Sequence, residues 1–570
     1  MDSVVGGDAP AGPPRAKLTS VAFWGICDIK YDPRLPNPRD RVRLLELGDG
    51  RSSRFSHHGR AIKEKFDAEF CMGEAPIKRA VMTENKKLTH DMFVSEGFAH
   101  LRPPTVAFPR RYHPDLASDI LTGLGMFRGT GEVVLKLCNR SRGAGIIVAT
   151  AAELDGVLWQ LLTPPFQEGL EKWLKTRMAS ALDPDRLAVM EEQQLHWWSN
   201  ECPLFVAERC CHSIPVAMEG SDKTFDGTMR VAFALYRKAG NKYQEAMSVK
   251  PFEIAWLGGY WKMPKVAVED GGEDLQGLHS KIVSSFNSVE KRTAEVSQEH
   301  LQEVFDALTP ALPCVFHSGA ISVNKIMNSY QEEPLFRAFA LARVAAAMRA
   351  GEMAKALGLF DLARKMVKAP ERPDAESLPE SSVLSYIERN AGVCPCLEGK
   401  WDKAGQKWRL SLKLHPLNST AYYCLGCCHQ EDGAYDAAVE CQMKAIALDP
   451  DFKSPYCALG NAHMLKGDFE TAVRAGEACL RRHPDAPVAH FNIAQSIYHL
   501  FCRGEVQRRE DARELADRAR TAFELAKRRV PEQWTEADEA MLEYFLSAVH
   551  SRPNHEEQAV HVWKVYGWRP

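Results

Sequence analysis

Three prolines, Pro416, Pro450 and Pro484, stand 34 residues apart, and each closes a segment cut to one template. In the middle copy the template reads Tyr422, Leu425, Gly426, Ala438, Ala445, Pro450. Adding 34 to each number gives Tyr456, Leu459, Gly460, Ala472, Cys479 and Pro484. A fixed period of this length points to a stack of two-helix units. Small residues at Gly426 and Ala438 let the two helices of one unit approach, and Pro450 stops the second from running on. The last ~40% of the chain is therefore expected to be an all-α helical-hairpin solenoid. One unit earlier, Gly392, Ala404 and Pro416 keep the register, with Trp408 where Gln442 stands a repeat later.

This template resembles the tetratricopeptide repeat, which implies an array over residues 336–552 that binds a protein partner. Upstream, Phe336 to Met348 read as the first helix of a further hairpin, with Ala356, Phe360 and Ala363 on its second helix. Ala369 to Ser381, rich in Pro, Glu and Ser, reads as a loop. Downstream, Ala519, Phe523, Ala526 and Pro531 repeat the second-helix signature after an insertion around Phe501 to Ala512. A helix from Thr535 to His550 would cap the stack, as a terminal unit must. Residues 553–570 form a tail.

Composition bounds the remainder. A chain of 570 residues, 45% hydrophobic and 26% charged, has material for two or three domains. A net charge of −3 offers no bulk attraction to nucleic acid or to an anionic membrane, and no apolar run is long enough to span one. Residues 1–18 are Gly/Pro/Ala-rich without an apolar core and read as a disordered tail, neither signal nor transit peptide. The expected compartment is cytoplasmic, with the sixteen cysteines reduced. Cys424, Cys427, Cys428 and His429 fall at helical spacing and read as packing rather than as a metal centre. Neither Cys394 with Cys396 nor Cys210, Cys211 and His212 has the spacing of a tetrahedral site. No metal ligand is assigned.

Residues 19 to about 330 alternate short β-branched runs with helical stretches, an α+β pattern. Val133–Leu137 and Ile146–Ala149 read as two strands of a hairpin whose tip carries Ser141, Gly143 and Gly145, with Lys136 in the first strand. Such a tip frees backbone N–H groups to approach an anion, and a strand lysine adds fixed positive charge. A plain turn and a lysine facing water are the alternatives. Earlier come Asn85 to Phe93, Gly97 and Arg102-Pro-Pro-Thr105; later come Phe205-Val-Ala-Glu208, Ile214-Pro-Val216 and Phe225 to Phe233 with Arg230. This order resembles the ATP-grasp superfamily over roughly residues 75–325. The resemblance sets an ATP-grasp-like domain at 81–330, preceded by a small α/β domain at 19–80.

The resemblance implies ATP and Mg²⁺ as cofactors. Lys86 and Lys136 would contact the phosphates, and Ser141, Gly143 and Gly145 would form a flap over them. Glu208 would accept from the ribose or lie at the adenine hinge. Arg230 would be the catalytic cation, stabilising charge in an acyl-phosphate reaction. The implied activity is coupling of a small-molecule or peptide carboxylate to an amine. The alternative is a non-catalytic nucleotide-binding scaffold whose repeats do the work. One departure stands out: Mg²⁺ prefers carboxylate oxygens, yet Val315 to Asn328 offers Asn324 and Asn328 but no acid. Glu253 on an earlier strand is one candidate ligand, and Asp226 is another, though its place before Thr228 and Arg230 equally fits a turn. Val42 to Ser53 reads as a strand ending in a Gly-rich loop, where Ser52, Ser53 and Arg54 would either meet an anion or simply turn the chain. Pro164 to Asn200, with Trp173, Trp197 and Trp198, reads as a helical insertion.

Overall fold

The computed structural model describes residues 21–49, 85–127, 129–140, 144–165, 168–182, 189–218, 220–236, 252–270, 272, 275–282, 292–318, 328–348, 352–370, 374–483 and 486–502. Ser52, Ser53, Arg54, Ser141, Gly143, Asn324, both tails, the second helix of the last repeat (Ala519, Phe523, Ala526) and the cap from Thr535 to His550 lie outside them.

The chain runs β1 (Val21–Tyr31), β2 (Val42–Asp49), α1 (Lys86–Ser95), β3 (Thr105–Pro109), α2 (Leu116–Gly123), β4 (Glu132–Leu137) and β5 (Ile146–Thr150). Next come α3 (Leu154–Leu162), α4 (Glu168–Ala179), α5 (Val189–Trp198), β6 (Leu204–Arg209), β7 (Val216–Ala217), β8 (Thr224–Phe225), β9 (Thr228–Tyr236) and β10 (Glu253–Lys262). After α6 (Leu275–Ile282), β11 (Thr293–Ala294), α7 (Gln298–Leu308) and α8 (Ala311–Ser318) the described chain is helical. The segment from Val315, expected to hold late ligands, enters α8. Contacts group the chain into two compact units, 1–105 with 208–325 and 106–207 with 326–570.

The first unit is built on an antiparallel sheet in the order β11-β10-β9-β1-β2. Strand β1 shows why: Cys27, Ile29 and Tyr31 alternate with Asp28 and Lys30, so one face is apolar. That face packs with Leu44, Met229, Val231 and Phe233 against Leu301, Val304 and Leu308 of α7. Helix α1 begins where Asn85 caps it, the Leu88 N–H donating to Asn85 Oδ1 at 3.1 Å, a bond that satisfies one of the orphan amides of the first turn.

The second unit joins a four-stranded sheet, in the order β3-β6-β4-β5, to the repeats. The expected hairpin is present, with Lys136 of β4 paired antiparallel to Ile146 of β5. Gly145 closes it at φ +71°, where a Cβ would strike the Leu137 side chain, so only glycine fits. Its N–H donates to Gln193 Oε1 at 2.6 Å, and its carbonyl accepts from Trp197 Nε1 at 3.1 Å, latching α5 to the hairpin. Beyond α5 the fully buried Arg110 donates to the carbonyls of Asn200 (2.6 Å), Cys202 (2.9 Å) and Trp197 (2.8 Å). A guanidinium placed there offsets the negative end of the helix.

The helical stack comprises α9 (Pro334–Ala346), α10 (Met353–Lys365), α11 (Leu378–Leu397), α12 (Trp401–Leu414), α13 (Ser419–Glu431), α14 (Tyr435–Leu448), α15 (Lys453–Lys466), α16 (Phe469–Arg482) and α17 (Pro487–Cys502). Helices α12, α14 and α16 begin 34 residues apart, as do α13, α15 and α17. Helix α11 starts inside the stretch expected as a loop, because Pro379 fits the first turn of a helix and only breaks an interior. In the α11–α12 and α13–α14 hairpins a side chain of the second helix bonds the first. Trp408 Nε1 donates to the Arg389 carbonyl and Gln442 Nε2 to the Tyr423 carbonyl, each at 3.2 Å. One period on stands Gly476, which has no donor, and Asn492 of α17 donates to the Cys457 carbonyl instead, at 2.9 Å. Cys428 packs with Ala404, Trp408 and Leu425, and the described cysteines are free thiols.

The chain's own insertion packs on this array. Leu182, just past α4, joins Ile446, Tyr456 and Leu459 in one core. Glu201 pairs with Arg389 at 3.2 Å, and Arg111 with Glu380 at 2.9 Å.

His415, at the end of α12, is fully buried, and burial, reinforced by Arg110, drives its pKa down to about 3. An unfolded histidine titrates near ~6.5, so the unfolded chain takes up a proton first and stability falls as the pH drops below that value. Urea midpoints of wild type and His415→Gln, measured at pH 7 and pH 5, are expected to shift relative to each other by about 2 kcal/mol, the wild type losing more in acid. A parallel loss in both proteins would refute this assignment.

Candidate functional site

The second face of the first unit's sheet carries charge where the first carries apolar side chains. Register sets Glu46 opposite Asp28, Asp28 opposite Arg230, and Arg230 opposite Tyr260, across β2, β1, β9 and β10. Directly opposed residues point to the same side of a sheet, so these four form one row. The guanidinium of Arg230 clamps Asp28 in bidentate fashion, Nε to Oδ1 and Nη2 to Oδ2, both at 2.6 Å. Lys262 Nζ stands 3.6 Å from the same carboxylate. Alongside, the buried Lys30 Nζ contacts Asp226 Oδ1 at 2.8 Å, and the other Asp226 oxygen meets His212 Nδ1 at 2.8 Å.

Burial and pairing oppose each other throughout this cluster. Burial pushes the Asp28 pKa up, but Lys262 and Arg230 override it and hold the carboxyl well below the usual range. Burial lowers the Lys262 ammonium despite Asp28. The Tyr260 hydroxyl is raised by burial. Asp226 stays low because Lys30 and His212 outweigh its burial. So many interlocked charges on a covered sheet face cost desolvation energy that an apolar layer would not; such clusters are where function concentrates.

The residues expected from the sequence are distributed as follows. In the first unit, Lys86 opens α1 and is buried, Glu208, last but one in β6, is a buried partner of Arg102 at 3.5 Å, and Arg230 lies in the charged row. In the second unit, Lys136 is buried in β4, and the Gly145 amide is committed to Gln193. Glu253 accepts from Tyr236 Oη at 2.9 Å, and Asp226 is taken up by Lys30 and His212. Asp28, Glu46, Tyr260 and Lys262 were not singled out by sequence. The trace available was a charge at alternate positions of an otherwise apolar strand, which ordinarily marks a solvated face.

The end of the front region offers no acid between Val315 and Asn328, whereas two acids, Asp28 and Glu46, are register partners at its beginning. Asp28 and Glu46 offer carboxylate oxygens on neighbouring strands, the donor class Mg²⁺ takes, with both Asp28 oxygens held by Arg230. The residue types fit such a group.

Residues 419–452 match the family described as the tetratricopeptide repeat. No curated protein matches the chain. Similar solved structures include MamA, residue 41 to the end, from Desulfovibrio magneticus RS-1, at 18% identity over 33% of this chain and 96% of that one, with a TM-score of 0.26. YrrB, titled a TPR protein with an unusual peptide-binding site, shows 17% identity over 35% of this chain and 93% of that one, with a TM-score of 0.27. At such scores these likenesses carry nothing about function. Tetratricopeptide repeats suggest protein–protein interaction, and among the described residues no helix is long and apolar enough to cross a membrane.

Proposed function

We propose that the chain is an ATP-dependent ligase of the ATP-grasp type, coupling a carboxylate to an amine, with its repeats recruiting a protein partner or substrate. The observation that carries this reading is the row Glu46–Asp28–Arg230–Tyr260 with Lys262 beside it. Arg230 and Lys262 serve as fixed cations toward transferring phosphoryl oxygens, a preorganised charge that needs no rearrangement in the transition state. Glu46 and Asp28 would hold Mg²⁺, which neutralises phosphate charge when bound. Lys86 and Glu208, in the same unit as the row, keep the nucleotide-contacting roles that the resemblance gives them.

One observation favours the second reading, a nucleotide-binding scaffold without turnover. Both Asp28 oxygens lie 2.6 Å from Arg230, so a metal on Asp28 has to displace the guanidinium from at least one of them. Turnover decides between the two. With ATP, Mg²⁺ and a panel of carboxylates and amines, the ligase reading expects release of ADP that requires both acceptors. A folded chain that binds ATP tightly yet releases no ADP under any pairing would leave the scaffold.

A further inference from the structure

On the second unit, far along the chain from these residues, a histidine and two carboxylates converge. Glu192 and His196 stand four residues apart on α5, hence on one helix face, and Asp451 comes from the turn between α14 and α15. One ligand atom from each lies within 4.8 Å of the others. His196 is 4% exposed, its Nδ1 has no hydrogen-bond partner, and its Nε2 stops 3.9 Å from Asp451 Oδ2, beyond hydrogen-bond reach. A buried imidazole left unsatisfied in this way calls for a partner of another kind, such as an ion.

We infer that Glu192, His196 and Asp451 form a binding site for a divalent cation of the zinc class, one that fastens α5 to the repeats. The donor set of one imidazole nitrogen and two carboxylate oxygens suits such a metal, leaving a fourth position open. Neighbouring ligands around zinc sit about 3.4 Å apart, given bonds near 2.0–2.1 Å, so small rotamer adjustments complete the site from its present geometry. Arg482 supports the arrangement rather than filling it. Its Nη1 holds Asp451 Oδ1 at 2.7 Å, which turns Oδ2 toward His196, and lies 3.8 Å from Glu192 Oε1. An outer partner that fixes one oxygen of a ligating carboxylate is the usual second layer of a metal site. Ligand binding here ties the insertion to the array next to the Leu182 core, so the metal adds to the stability of the second unit through the folded state alone.

Cobalt provides the test, on the full chain stripped with a chelator. Cobalt bound to nitrogen and oxygen shows visible bands without the intense near-ultraviolet band of a cobalt–thiolate bond, which separates this site from the cysteines. The expected result is one equivalent of Co²⁺ bound without a thiolate band and displaced by Zn²⁺. Glu192→Gln and Asp451→Asn should each weaken it by at least about 10-fold, as loss of a metal-site partner does. Glu192 is half-exposed, so its replacement leaves the packing in place, and circular dichroism confirms the fold. Unchanged cobalt affinity in both variants, a spectrum carried by thiolate, or no binding to the native chain would each overturn the assignment.

Discussion

Asp28→Ala is expected to cost the first unit about 3–5 kcal/mol, because it leaves Arg230 and Lys262 as buried charges without their carboxylate. The geometry makes the loss large: two bonds of 2.6 Å to one guanidinium vanish together, and bidentate charge-assisted pairs are the strong ones. The stability that Asp28 contributes is present above the ordinary carboxylate range and fades only as the pH falls through its depressed folded value. The deficit of the variant is therefore expected to be constant from pH 5 to pH 8 and to shrink in strong acid. Urea denaturation of wild type, Asp28→Ala and the double variant Asp28→Leu/Arg230→Met measures it. The double variant removes the bidentate pair but leaves Lys262 without Asp28, so it should regain the part of the loss that comes from the stranded Arg230, since an apolar replacement of a buried pair is often neutral. Equal loss in both variants would mean that the row is held by something other than this pair.

Trp408→Ala is the largest expected effect in the repeats, about 3–5 kcal/mol for removing a buried tryptophan. Trp408 fills the groove above Gly392, packs on Ala404, Leu425 and Cys428, and ties its indole N–H to the Arg389 carbonyl at 3.2 Å. Gln442, one period later, makes the same bond to Tyr423 and is equally buried, but its side chain is smaller and polar, so Gln442→Ala should cost less, about 2 kcal/mol. Because each repeat is stabilised by its neighbours, the loss at Trp408 is expected to reach α13 and α14 in amide exchange as faster opening. Equal destabilisation by the two variants would refute the packing account.

The repeats were legible because their signal is local and redundant: Gly426, Ala438 and Pro450 each state the same constraint, and the period repeats it. What the period hides is substitution between neighbours, as where Gly476 loses its donor and Asn492 supplies one from the next helix. The hairpin of β4 and β5 was legible too, from its β-branched runs and the glycine that must end it. The division of the front region was not. The chain leaves the first unit at Thr105 and returns at Glu208, and nothing in a contiguous stretch announces that it pairs with residues two hundred positions away. The charged row is the same case. Asp28 and Glu46 sit in β1 and β2 among apolar residues, and only the pairing of β1 with β9 sets Asp28 beside Arg230. The commitment of the Gly145 amide to Gln193 likewise depends on where α5 docks. Sequence spacing carries local geometry; it does not carry which covered face a charge ends on.

The most direct test of the nucleotide-dependent reading is titration calorimetry of ATP with Mg²⁺ into the full chain, beside Lys86→Met. The account predicts saturable, Mg²⁺-dependent binding by the wild type that the substitution abolishes while the protein stays folded. Absence of ATP binding to the folded wild-type chain, or equal affinity in both proteins, would contradict it and leave the repeats to carry the function.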